Sequence, residues 1–175
     1  GGSFAEGLRL GELFSGTHTR TYVLNDQKCL SACAVAFMGG RSKSGSRPRE
    51  IELGAILGFH ARFLSGIKST LKAVDVKRFY ERSIRGVGGR FMKFARTETL
   101  VNGRMVPRIP LELVTEMMTK SRNDYVFVSS VDKAIRWSIG VSMRRDIWLN
   151  QRRVINACRN TLNSDGVSVS YAPQG

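Results

Sequence analysis

A serine set among small residues and a histidine 29 positions further on are the two side chains in this sequence whose types and spacing best suit chemistry. Ser31 stands in Cys29-Leu-Ser-Ala-Cys-Ala-Val-Ala-Phe-Met-Gly-Gly40, and His60 closes the short apolar run Ala55-Ile-Leu-Gly-Phe59. Small residues around the serine followed by an apolar run predict a tight turn feeding a buried helix, with Ser31 in its first turn. There the hydroxyl sits near the positive helix end, and the next backbone N–H points at a developing oxyanion. The apolar run before His60 reads as a buried strand, which leaves the imidazole at a strand end. A serine hydroxyl is a poor nucleophile until a base takes its proton, and the resulting imidazolium is held by a third, acidic group. The plain alternatives are a helix N-cap for Ser31 and a satisfied core histidine for His60.

Three segments in order strengthen the chemical reading. Gly1-Gly-Ser-Phe-Ala-Glu-Gly7 is similar to the segment before the first helix in the Clp protease proteolytic subunit and its crotonase-like relatives. Cys29-Leu-Ser-Ala-Cys33 resembles that family's turn around the nucleophilic serine, and Leu57-Gly-Phe-His60 its strand carrying the catalytic histidine. The cysteine-flanked form is closest to the exported, ClpP-like proteins of bacteria, which implies a periplasmic or exported location. The match covers residues 1–60 well and the remainder loosely. It implies an α/β fold with a ClpP/crotonase-like spiral core of parallel strands, flanking helices and a helical arm. It also implies that Gly2 and Ala32 supply the oxyanion N–H groups. For the acid, order favours Asp124, although aligning the helix ends places the position two residues later, at Val126, so that Asp124 requires a small gap. Asp132, Glu116 or no acid at all stay open. The chain opens inside a recognisable motif, so we expect a fragment lacking its first strands and any export signal.

The elements that must position these groups can be read along the chain. Ser3 to Ser15 reads as a helix with Ser3 and Glu6 spaced as a capping box, and Thr17 to Leu24 as a strand begun by an exposed His18. The serine helix is expected to end at Gly39-Gly40, a pair suited to a C-terminal cap. Alternating helices and strands point to a parallel α/β core. Arg41 to Arg49 reads as a basic loop, Gly66 to Arg85 as an amphipathic helix that the resemblance makes an intersubunit arm, and Gly86 to Gly89 as its break. The Phe91-Met-Lys-Phe94 cluster can pack on the core or line a substrate groove, and the core is the simpler reading. Asn102-Gly103 is a hairpin-type turn in an ordered loop from Thr99 to Pro110, and a helix is expected from Leu111 to Lys120. Tyr125 to Val128 reads as a strand and Ser130 to Ile139 as a helix. From Gly140 the pattern fades, with a short helix around Val154 and Cys158 and a loosely ordered tail over residues 164–175. One domain over residues 1–163 accounts for the rest.

Composition narrows the partners. The 175 residues carry a net charge of +14 and are 42% hydrophobic, enough for one domain with a substantial core. Between Ala61 and Arg96 ten Lys or Arg face only Asp75 and Glu81, and Arg41 to Arg49 adds four more positive charges. Such fields can attract an anionic partner, whether nucleic acid, lipid or acidic substrate, although a solvated basic face is the simpler reading. No run is long and apolar enough to span a bilayer. Three cysteines are too few for a disulfide scaffold and lack zinc spacing. Cys29 and Cys33 can oxidise, pair with Cys158, or pack as small hydrophobes, and the resemblance to exported proteins favours a disulfide. The reading is a serine hydrolase, a peptidase acting on peptide or protein through an acyl-enzyme, with no cofactor and no metal, as a homo-oligomer. A ClpP-like binding protein that has lost turnover, a crotonase-like enzyme acting on an acyl thioester, and a basic nucleic-acid-binding module are the alternatives.

Overall fold

A computed structural model describes residues 2–60, 86–119 and 124–142. The arm expected over 66–85, the terminal helix and the tail lie outside the described residues, as does Cys158. The described part is mixed α/β, and its strands fall in two three-stranded sheets and one hairpin. No helix in it is long and apolar enough to cross a membrane.

Helix α1 spans Phe4–Gly16. Ser3 is its N-cap by position, but its side chain makes no cap hydrogen bond, and Glu6 pairs with Arg9 at 2.8 Å in place of closing a capping box. At the other end the Thr17 N–H and hydroxyl both donate to the Leu13 carbonyl. Thr17 thus finishes a helix where a strand start was expected, and strand β1 covers only Thr21–Val23. His18 falls in the turn between them, half-buried and at φ 55°, neither in a strand nor fully exposed.

Strand β2 (Lys28–Leu30) leads into helix α2 (Ala32–Phe37), and β3 (Arg49–Glu52) and β4 (Ile56–Phe59) follow. The glycines after α2 serve close packing and not a left-handed cap, since neither has positive φ. A Cβ on Gly39 would overlap the Gly11 backbone, and one on Gly7 the Ala32 carbonyl. Helices α1 and α2 therefore cross with backbone against backbone, which only hydrogen side chains permit.

Gly88 and Gly89 lie inside helix α3 (Val87–Arg96), so Gly86–Gly89 starts a helix where a break was expected. Strands β5 (Glu98–Val101) and β6 (Arg104–Pro107) form a hairpin on Asn102 and Gly103, both at positive φ, so the expected turn is flanked by strands and not loop. Helix α4 (Leu111–Thr119), strand β7 (Val126–Phe127), helix α5 (Val131–Arg136) and strand β8 (Gly140–Ser142) complete the order. Ser130 caps α5 by accepting from the Lys133 N–H.

One sheet runs β1-β3-β8, all parallel, and the other β2-β4-β7, where β7 is antiparallel to β4. The core is therefore not wholly parallel; β3 starts on the last residue of the expected loop, and β8 arises where a fading pattern was expected. Strand β3 hides charge: Arg49, Glu50 and Glu52 are all buried. Glu50 meets Arg20 and Arg47, and Glu52 accepts from the Asn25 N–H at 2.8 Å. Arg49 is fully buried and so is no part of a solvated basic loop. One of its Nη atoms donates to the Arg108 carbonyl at 2.6 Å, while Nε and the other Nη find no hydrogen-bond partner among the described residues. Burial pushes its pKa down to about 9, and the nearby Arg108 adds to the fall. Leu8, Val35, Met38, Leu57, Phe59, Phe91, Phe94 and Trp137 form the common core, with Phe59 edge-on to Trp137. Each such side chain contributes about 1.5–3 kcal/mol on leaving water.

Candidate active site

Strands β2 and β4 run parallel with Cys29 opposite Leu57 and Leu30 opposite Gly58, so both chains leave the sheet on the same side. The first residue beyond β2 is Ser31 and the first beyond β4 is His60. Carboxyl ends of neighbouring parallel strands are where α/β folds place ligands. The His60 Nε2 and Ser31 Oγ lie 2.7 Å apart, and the two residues are 3% and 5% exposed. The expected pair is thus in hydrogen-bond contact and nearly excluded from water.

Ser31 sits at φ 61° and ψ −120°, a conformation that non-glycine residues rarely adopt and that costs about 1–3 kcal/mol. Its N–H donates to the Gly58 carbonyl at 3.0 Å, and its own carbonyl accepts from Val35 N–H at 3.1 Å, opening α2. The side chain caps no helix N–H, which sets aside the plain N-cap reading. A sharp strand–turn–helix passage with the serine at positive φ presents its Oγ beyond the sheet and turns the next N–H toward the same space. That next residue is Ala32. Gly2 stands beside it, with a Cβ built on Gly2 only 3.9 Å from the Ala32 Cβ. The two expected oxyanion residues are therefore neighbours.

Cys29 and Cys33 form a disulfide with their Cα atoms 5.1 Å apart. It spans the turn from the last strand residues to the first helical ones, with Ser31 midway. A groove of about 870 Å³ opens alongside and is lined by Gly2, Leu10, Phe14, Tyr22, Ala32 and Cys33 among others.

Asp124 precedes β7 and is exposed, unlike the buried pair. Its neighbour Tyr125 comes over the imidazole: the His60 and Tyr125 rings have centroids 4.6 Å apart and planes tilted by 39°. Tyr125 was not legible as a site residue. The only hint was its place next to Asp124, because the β4–β7 register that sets it opposite His60 is a tertiary fact. Of the other acids weighed, Glu116 pairs with Lys133 at 2.8 Å and Asp132 lies in the first turn of α5. Among the described residues no three His, Cys, Asp or Glu side chains gather as a metal would need.

Comparison with protein-family models, curated proteins and solved structures found no match for the chain.

Proposed function

We propose that this protein is a serine hydrolase of the ClpP/crotonase-like kind, a peptidase working through an acyl-enzyme. The observation that carries the reading is the 2.7 Å contact of Ser31 Oγ with His60 Nε2, made by a serine at positive φ. In the proposed reaction His60 Nε2 takes the hydroxyl proton as Oγ attacks the scissile carbonyl. The oxyanion forms against the Ala32 and Gly2 N–H groups, where each such donor is worth roughly 10²–10³ in rate. The imidazolium returns its proton to the leaving amine, and water then repeats the sequence to free Ser31. Asp124 is the proposed orienting acid. The ClpP/crotonase spiral, a homo-oligomer and an exported or periplasmic location belong to the same proposal, and the Cys29–Cys33 disulfide supports the last, since disulfides persist in oxidising compartments.

The test is labelling by a fluorophosphonate probe of wild type, Ser31→Ala and His60→Ala. Labelling abolished by both substitutions supports the hydrolase, and no labelling of a folded wild type overturns it. A second reading, a binding protein that has lost turnover, draws on the exposure of Asp124, because an orienting carboxylate is usually buried behind its histidine.

A further inference from the structure

We propose that the Cys29–Cys33 disulfide is the positioning element of the Ser31 nucleophile, so that hydrolysis requires the closed cystine and falls when a dithiol reductant opens it. This rests on the hydrolase reading of the same site.

The warrant is local. Four peptide steps of extended chain would separate residues 29 and 33 by about 13–14 Å. The crosslink holds their Cα atoms 5.1 Å apart, so the chain must reverse within Leu30, Ser31 and Ala32. Ser31, at φ 61°, stands in the middle of that reversal. A non-glycine residue stays in such a conformation only where its surroundings over-determine it. The serine's own side chain gives no help, because it faces His60 and caps no helix N–H. Two backbone hydrogen bonds and the disulfide remain.

The two sulfurs are held differently. Cys29 is 4% exposed and fixed in β2 opposite Leu57. Cys33 is exposed and lines the open groove next to Ala32. A thiolate of the reductant can therefore reach Cys33 Sγ. Attack forms a mixed disulfide and expels Cys29 as a thiolate, which takes a proton. The second thiol of the reductant then closes its own disulfide and releases Cys33 as a thiol. Two electrons and two protons pass to the protein, and one dithiol is oxidised. The ring closed by this cystine is only five residues long, so opening it relaxes the turn and leaves the two sheets intact.

The experiment compares oxidised and dithiothreitol-reduced protein, with Cys158→Ser as background to prevent exchange. It reads the fluorophosphonate labelling rate, kcat and KM on a peptide ester, far-UV circular dichroism, and the ring resonances of the two histidines. Reduction is expected to lower kcat and labelling by about 10²-fold with little change in KM, since a nucleophile misplaced by an ångström loses that much. Reoxidation restores both rates. Cys33→Ala is expected to be slow in either condition. The His60 resonances shift on reduction, while those of His18, in a separate turn, stay in place. Equal labelling rates in the two forms, with circular dichroism unchanged, overturn the proposal. If neither form labels, the hydrolase reading is what fails, and unmoved His60 resonances on reduction then overturn the positioning role independently.

Discussion

Tyr125 lies across the imidazole of His60, the ring centroids 4.6 Å apart, although 65 residues separate them in the chain. The contact follows from the antiparallel pairing of β7 with β4: Phe59 lies opposite Val126, so His60, just after β4, meets Tyr125, just before β7. If His60 is the proposed base, a ring on one face of it would limit its tilt and favour the Nε2 contact with Ser31. Tyr125→Phe should keep activity within about twofold, whereas Tyr125→Ala should lower kcat by roughly 10-fold to 10²-fold through loss of orientation. Steady-state kinetics decide it, and equal rates for the two variants would remove the ring from the site.

Gly2 tests the proposed oxyanion hole without touching the proposed nucleophile. Gly2→Ala meets only an ordinary contact with Ala32 and should stay active. Gly2→Pro removes the N–H and should cost about 10²–10³ in kcat, with KM little changed. A fully active proline variant would show that Gly2 donates nothing.

Gly39 and Gly16 make opposite predictions for one methyl group. Gly39→Ala drives a Cβ into the Gly11 backbone and should destabilise by about 1–3 kcal/mol. Gly16, at the end of α1, has nothing within 4 Å of an added Cβ, so Gly16→Ala should stabilise by about 0.4–1 kcal/mol. Urea denaturation of both variants is the check. Similar midpoints for the two would contradict the close crossing.

Arg49 is a fully buried guanidinium that stays charged at neutral pH, since burial lowers its pKa only to about 9. It has carbonyl acceptors but no carboxylate partner among the described residues. Arg49→Met keeps most of the volume and removes an uncompensated charge, a change that is often neutral or stabilising. We expect Tm to rise by about 2–4 °C, corresponding to about 1 kcal/mol for a chain of this size. A fall of that size would mean that the hydrogen bonds to the Met38 and Arg108 carbonyls outweigh the charge.

The Glu12–Arg90 pair ties α1 to α3 and carries a pH dependence. The hydrogen bond from Arg90 holds the Glu12 carboxyl below its ordinary value of 4.5, against a smaller opposing push from burial. A carboxyl whose pKa is depressed by folding adds stability above its unfolded pKa and loses it as pH falls through the folded value. Both side chains are more than a third exposed, so solvent screens the pair and the coupling should be weak. A double-mutant cycle with Glu12→Gln and Arg90→Gln should find it at pH 7 and lose it by pH 3. Coupling unchanged at pH 3 would rule out the ion pair as its source.

The Ser31–His60 pair was legible because its cues are local: small residues before an apolar helix, and an apolar strand ending in histidine. Gly2 beside Ala32 followed from the resemblance in the same stretch. Strand β3 was hidden for a physical reason. Arg49, Glu50 and Glu52 look like solvent-facing residues, and only partners such as Arg20 and Asn25, far away in sequence, make their burial tolerable. Strand β8 is three residues long and defined by its partner β3, and nothing in Tyr125 to Val128 announces a direction opposite to β4. His18 and Asn102 show the same divide. Both have positive φ, yet only Asn102, beside a glycine, carries the turn chemistry that makes such a φ readable.

The backbone-tight crossing of α1 on α2 means that the two proposed oxyanion donors, Gly2 just ahead of α1 and Ala32 at the start of α2, stay side by side only while those helices stay docked. If the hydrolase proposal holds, heat that parts the two helices would silence activity even with the sheets intact. Inactivation would run ahead of the loss of secondary structure, and cooling would return activity as quickly as α1 settles back.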